Sequence, residues 1–244
     1  MSTPQFYVGT SGWTYDHWRG DFYPMKLART RWFDYYAERF TSVEVNATFY
    51  RVFADTTLEK WRTQVGPDFR YVLKVPRLIT HEKHLAGCEE DIRAFCHSAS
   101  LLGDRLGMLL LQIAPDMPFD LGLLKSALTM FEDPRRVAVE FRAEYWRNEA
   151  VRSLLEELGT VHVSVDSPTT RLSEWVTGRA AYIRLHGRSG WYDSNYSPGE
   201  LNEIAALARQ MAERGAETVY IFFNNDVGGY APHNALALAE ILDF

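Results

Sequence analysis

All but the first of eight apolar runs in this chain end in side chains that can do chemistry. In chain order these are Glu44, Asn46 and Thr48, then Lys74, Gln112, Glu140 with Arg142, Asp166, Arg184 with His186, and Asn224 with Asn225. Three carboxylates face three cationic side chains, with a histidine and several carboxamides among them. Such groups are costly to bury unless they satisfy one another or a ligand. They are therefore either a closed ion and amide network or the floor of a site.

For proton transfer the candidates are Glu44, Glu140, Asp166, His186 and Lys74. Lys74 interrupts an apolar run, the setting of an imine-forming amine, but Glu44 on the neighbouring strand is the expected partner and would keep it protonated. A glycosidase needs two carboxyls about 5–5.5 Å or about 6.5–9.5 Å apart, and Glu44 and Glu140 lie too far apart in strand order to establish either spacing. No nucleophile elbow accompanies any serine or cysteine. Glu140, Asp166 and His186 end three consecutive runs and could together hold a hard divalent cation, although Arg142 and Arg184 would repel it. No cofactor motif is evident, a divalent metal stays open, and no residue is assigned as a metal ligand.

Lys74, Arg142 and Arg184 supply charge for an anion, with Asn46, Asn224 and Asn225 to orient it. The connections after the last two runs contain Gly187, Arg188, Gly190, Gly228 and Gly229, whose backbone amides could approach a phosphate. Five of the seven tryptophans, Trp13, Trp18, Trp146, Trp175 and Trp191, also fall in connections, beside Tyr15, Tyr23, Tyr50, Tyr145, Tyr192 and Tyr196. Flat rings round a polar floor suit stacking on a sugar or a nucleobase, and Trp13, Tyr50 and Trp146 are the ones assigned to a ligand. The competing reading is a hydrophobic rim of loops packed on each other.

The elements that position these groups follow from periodicity. Apolar runs at 6–9, 42–46, 71–75, 107–113, 136–141, 161–165, 182–185 and 219–223 read as strands; the fourth is continuously apolar from Met108 to Leu111, as in a strand covered on both faces. Helical spacing is expected at 30–40 and 89–102, with a capping box at Thr56 and Glu59, an Asn148 cap with a Gly159 stop, a second capping box at Ser197 and Glu200, and a last helix starting at Asn234. Residues 170–179 read as a poor helix. Strands alternating with helices imply parallel pairing through right-handed crossovers. The expectation is an α/β fold, one (β/α)8 TIM-type barrel over residues 1–244 with an irregular sixth helical connection. A doubly wound sheet would want a dinucleotide or P-loop glycine pattern, and neither is present.

A net charge of −6 argues against a general nucleic-acid coat. No run approaches the roughly 18 apolar residues of a membrane span and no signal-peptide pattern opens the chain, so a cytoplasmic location is expected. Cys88 and Cys96 have no second pair with which to build a thiolate metal site.

Several motifs carry a resemblance: GTSGWTYDHWRGDFYP at 9–24, EVNATFY at 44–50, Lys74-Val75-Pro76 with His81, Glu140-Phe141-Arg142 with Trp146, Arg184-Leu185-His186-Gly187, and Phe223-Asn224-Asn225. In these the chain resembles the domain of unknown function 72 family, the YecE-like proteins. The resemblance implies a TIM-type barrel and carries no mechanism with it.

The leading expectation is an enzyme, of hydrolase, lyase or isomerase type, acting on an anionic small molecule such as a sugar phosphate or nucleotide-like compound. The alternatives are a metal-assisted phosphodiester hydrolase on nucleic acid, by analogy with barrel-type apurinic endonucleases, and a non-catalytic ligand- or partner-binding barrel. Nucleic acid is not favoured, no membrane partner is expected, and nothing in the sequence sets an oligomeric state.

Overall fold

The computed structural model describes residues 3–243. Its strands are β1 (Gln5–Thr10), β2 (Ser42–Val45), β3 (Arg70–Lys74), β4 (Leu106–Gln112), β5 (Val137–Glu140), β6 (Val161–Asp166), β7 (Ala180–Leu185) and β8 (Thr218–Phe223). All pair in parallel, in the order β1-β8-β7-β6-β5-β4-β3-β2. The eight strands thus form a nearly closed (β/α)8 barrel, as the alternation of runs predicts.

The helices are α1 (Trp32–Ala37), α2 (Asp55–Gln64), α3 (Glu89–Ser100), α4 (Leu121–Met130), α5 (Glu149–Leu158), α6 (Pro198–Glu213) and α7 (Tyr230–Leu242). Residues 168–179, between β6 and β7, form no helix, which is the expected irregularity. No described helix is long and apolar enough to cross a membrane.

Local capping chemistry explains several boundaries. Ser197 and Glu200 form the full reciprocal box, and Asn148 accepts from the Val151 amide at 3.1 Å. Gly159 ends α5 in the left-handed region at φ 66°, where a Cβ would be strained. Two expectations fail. Helix α2 starts one residue before Thr56, with Ala54 at the cap position and no side-chain cap, so Thr56 and Glu59 lie inside the helix rather than closing a box. Helix α7 begins at Tyr230 after Gly229 (φ 71°), four residues before Asn234. Pro232 is tolerated there because a first-turn N–H has no helical partner to lose. Asn234 is instead a buried strut, its Oδ1 accepting from Asn225 at 2.8 Å and from the Tyr196 amide at 3.2 Å.

Strand pleating divides the apolar residues into two cores. Tyr7, Val72, Met108, Leu110, Ala138, Val161, Val163, Val165, Tyr182, Tyr220 and Phe222 fill the barrel. The larger core lies between the strands and the helices. The weakest seam joins β1 and β2, which share only the bridge Ser11↔Glu44. There the Tyr36 hydroxyl serves both edges, accepting from the Thr10 amide at 2.9 Å and donating to the Ser42 carbonyl at 3.0 Å. Gly9 permits this approach: a Cβ on it would fall 2.2 Å from the Ser42 oxygen.

Candidate functional site

At the C-terminal end of the barrel the fully buried Arg184 of β7 organises the polar groups. Its Nε and Nη2 donate to the two carboxylate oxygens of Glu44 on β2, at 2.9 and 2.6 Å, and its Nη1 donates to Glu140 on β5. Glu44 also accepts from the Ser11 hydroxyl at 2.7 Å and the Tyr182 hydroxyl at 2.6 Å. Arg142 pairs with Glu140 at 2.6 Å, and the Gln112 carboxamide donates to Glu140 at 2.9 Å. An ionised carboxylate can only accept, so Gln112 must turn its Nε2 to Glu140 and its Oε1 away. That oxygen accepts from Lys74 Nζ at 3.0 Å.

The expected Glu44–Lys74 pair therefore does not form. Arg184 reaches across the barrel and takes both oxygens of Glu44 with two parallel N–H groups, a geometry that a lysine cannot match. Lys74 is left with a neutral acceptor and the face of Phe49, 4.1 Å from the ring centroid.

His186, also buried, faces Trp191 and Tyr192. Asn224 lies 3.0 Å from its Nδ1. With the Asn224 amide group donating, Nδ1 is the acceptor and the proton sits on Nε2. That Nε2 has no hydrogen-bond partner and lies 4.0 Å from Glu140 Oε1. Asn46 opens the turn after β2 and likewise keeps a buried Oδ1 without a hydrogen bond.

Above this floor is a cavity of about 380 Å³, whose wall includes Gln112, Arg142, Arg147, His81, Thr170 and Trp191. Arg142 sits 5.7 Å from the Trp191 ring centroid, and Arg147 donates to the Thr170 hydroxyl at 3.1 Å.

Other assigned residues lie elsewhere. Asp166 ends β6 with the parity of His162 and Ser164, opposite to the valines inside the barrel, so it faces the helix layer. It pairs there with Arg188 at 2.7 Å. The trio Glu140, Asp166 and His186 is thus split across the sheet, and no group of three His, Cys, Asp or Glu residues among those described is arranged to hold a metal. Asn225 is buried and donates to the Ser194 carbonyl and to Asn234. Trp146 is wholly buried, stacked on Phe141, and Trp13 packs against Phe33 and Trp61. Tyr50 is 77% exposed and meets Phe49 edge-on. The glycine loop after β7 is no open anion cradle: the Ser189 and Gly190 amides donate to Ser194 Oγ, and the Gly187 amide donates to the Tyr196 hydroxyl.

Ser11, Tyr182 and Arg147 escape sequence reasoning. Tyr182 carries a usable signal, because it shares the parity of Arg184 and His186 in the run YIRLH. Ser11 carries none beyond its place in a glycine-rich loop.

A model described as "Protein of unknown function DUF72" matches residues 7–244. The chain belongs to the DUF72 family. The UPF0759 protein YunF of Bacillus subtilis is similar at 26% identity over 271 aligned residues, covering 97% of this chain and 94% of YunF. The UPF0759 protein YecE of Escherichia coli is 31% identical over 107 residues, covering 44% of this chain and 37% of YecE. Among solved structures, a DUF72 family protein from Thermotoga maritima superposes with a TM-score of 0.89 at 29% identity, covering 98% of this chain and 100% of that one. A DUF72 family protein from Enterococcus faecalis, 23% identical with a TM-score of 0.85 and covering 98% of this chain and 96% of that one, shares the fold.

In this DUF72 barrel the electrostatics follow from the pairing. Burial opposes the ionised form of Glu140, but Arg184, Arg142 and neighbouring groups outweigh it and hold the carboxyl far below its usual range. Burial, with Arg184 adding to it, drives His186 well below the usual imidazole value, so the ring is neutral at pH 7. Burial, again reinforced by Arg184, lowers Lys74 to about 8. Burial raises Asp166, against the pull of Arg188.

Proposed function

We propose that this DUF72 protein binds an anionic small molecule, a phosphorylated sugar or nucleotide-like compound, in the barrel mouth and acts on it by proton transfer. One observation carries the reading: Arg184 and Arg142 occupy the two carboxylates of the barrel interior, Glu44 and Glu140, so the charged side chains in the cavity wall, Arg142 and Arg147, are cationic. Arg142 and Arg147 hold the anion, His186 donates from Nε2, and Asn46 offers an acceptor. Lys74 moves the proton, since its value of about 8 lies near neutral pH, where acid–base catalysts work best. Glu44 and Glu140 hold Arg184 in place, and Arg184 with Arg142 keeps Glu140 ionised against its burial. Trp191, beside Arg142, provides a face for a planar part of the ligand. Two free, buried cysteines support a cytosolic setting.

A thermal-shift panel of inorganic phosphate, sugar phosphates and nucleotides, each with and without divalent cation, tests the reading, because a ligand selective for the native state raises Tm. A metal-independent rise with one phosphorylated class, lost in Arg142→Gln, is the expected result. No rise with any anion would overturn it.

A further inference from the structure

We infer that Lys74 is an amine nucleophile that forms an imine with an aldehyde or ketone group of the anionic ligand. The inference rests on the mouth-binding reading and narrows its substrate class to anionic carbonyl compounds, such as oxo acids or phosphorylated aldoses and ketoses.

Three features single out this lysine. It is the last residue of β3, buried to 8% exposure at the active end of the barrel. Lys26, Lys60 and Lys125 are exposed, and Lys83 is bound to Asp91. Second, no carboxylate among the described residues forms an ion pair with Lys74; its acceptor is a carboxamide oxygen whose orientation Glu140 dictates. A neutral acceptor steadies Nζ without a contact ion pair to hold the proton on it, and burial together with Arg184 outweighs the more distant pull of Glu140 and Glu44. Third, Gln112 itself lines the cavity, so Nζ is one hydrogen bond behind the wall against which the ligand rests. The lowered proton affinity of Lys74 is the consequence: at pH 7 its neutral fraction exceeds that of a surface lysine by on the order of a hundredfold.

The step balances without an external redox partner. The neutral Lys74 amine attacks the carbonyl carbon, forming the C–N bond while the π pair moves to oxygen, and one proton then passes from the nitrogen to that oxygen to give a neutral carbinolamine. Loss of that hydroxyl as water, with a proton lost from nitrogen, gives the imine; protonating it gives an iminium that draws electrons from the adjacent carbon. The Nε2–H of His186, with no partner of its own, is available to donate to the departing oxygen.

The test uses the full chain with pyruvate, glyceraldehyde 3-phosphate or dihydroxyacetone phosphate in the presence of cyanoborohydride, which delivers hydride to the iminium and leaves a stable secondary amine. Peptide mass spectrometry then locates the adduct. The expected result is an adduct on Lys74 at least tenfold above that on any other lysine, with a yield that rises with pH and has its midpoint near 8. Gln112→Glu gives Lys74 a carboxylate partner, moves that midpoint upward and lowers the yield at pH 7, which a merely structural Gln112 would not do. Inorganic phosphate in the same mixture reduces the adduct if the anion seat is the mouth. A Lys74 adduct insensitive to phosphate upholds the imine and overturns the anion seat. A phosphate-induced Tm rise without a Lys74 adduct overturns the imine and leaves the anion seat standing. Labelling spread evenly over the surface lysines also overturns the imine.

Discussion

Arg184 and Glu44 stand on strands β7 and β2, yet they form a two-pronged ion pair through the barrel interior, with hydrogen bonds of 2.9 and 2.6 Å. The same guanidinium also bonds Glu140 on β5. One side chain therefore ties three strands together, and with Arg142 on Glu140 it balances the charge of the two carboxylates inside the barrel.

Replacing Arg184 with Met leaves two buried carboxylates without their main partner. Breaking a buried pair from one side costs about 3–5 kcal/mol. Urea unfolding of Arg184→Met should show a loss of that order. Arg184→Lys should recover only part of it, because an ammonium cannot serve both carboxylates with parallel N–H groups.

Gly9→Ala should prise open the β1–β2 seam. The added methyl would sit 2.2 Å from a backbone carbonyl oxygen, which cannot rotate away as a side chain can. Overpacking of this kind costs about 1–3 kcal/mol or more. The check is a lower urea midpoint, with faster exchange of the Thr10 amide whose acceptor is Tyr36.

The buried lysine leaves a signature in the pH dependence of stability. Its folded value is about 8, against the usual lysine value of 10.5 in the unfolded chain. Between those values the unfolded chain holds the proton and the barrel does not, so the wild type gains stability as pH rises through that window. Below about pH 8 both states are protonated and the penalty is fully present. The shift corresponds to about 3 kcal/mol. Lys74→Met removes the group, so its stability relative to wild type should fall by that order between pH 8 and pH 10.5. Parallel curves would mean that Lys74 is not perturbed.

His186 should not titrate across the physiological range. Its value is driven well below the usual 6.5, and Asn224 sets the Nε2–H tautomer. Nitrogen-15 correlation spectra should show a neutral ring with protonated Nε2 at pH 6.5, where a free imidazole is half protonated, and Asn224→Leu should disturb that pattern. The sign for stability follows: below 6.5 the unfolded chain takes a proton that the buried ring refuses, so acid lowers stability.

The barrel was legible in the sequence because βα alternation is written in local periodicity, and local periodicity survives without knowledge of neighbours. The caps at Asn148 and Ser197 were legible for the same reason: donor and acceptor lie within three residues of each other. Two capping assignments failed because Thr56 and Asn234 have cap chemistry, but the neighbouring turns started the helices earlier.

The site divides along the same line. Amino-acid sequence alone determined that polar groups would gather where the strands end. It could not place Asp166, since His162, Ser164 and Asp166 alternate with three valines and both faces of a parallel barrel strand are buried. Which face points inward depends on where β6 sits in the closed ring. Nor could it pair the charges, because sequence order favours the neighbour Lys74 for Glu44. The closed barrel sets Arg184 opposite instead, and its longer, forked side chain takes both oxygens. Tertiary structure thereby decided which cations, Arg184 and Arg142, pair with the protein's own carboxylates and which, Lys74, is left with a neutral acceptor.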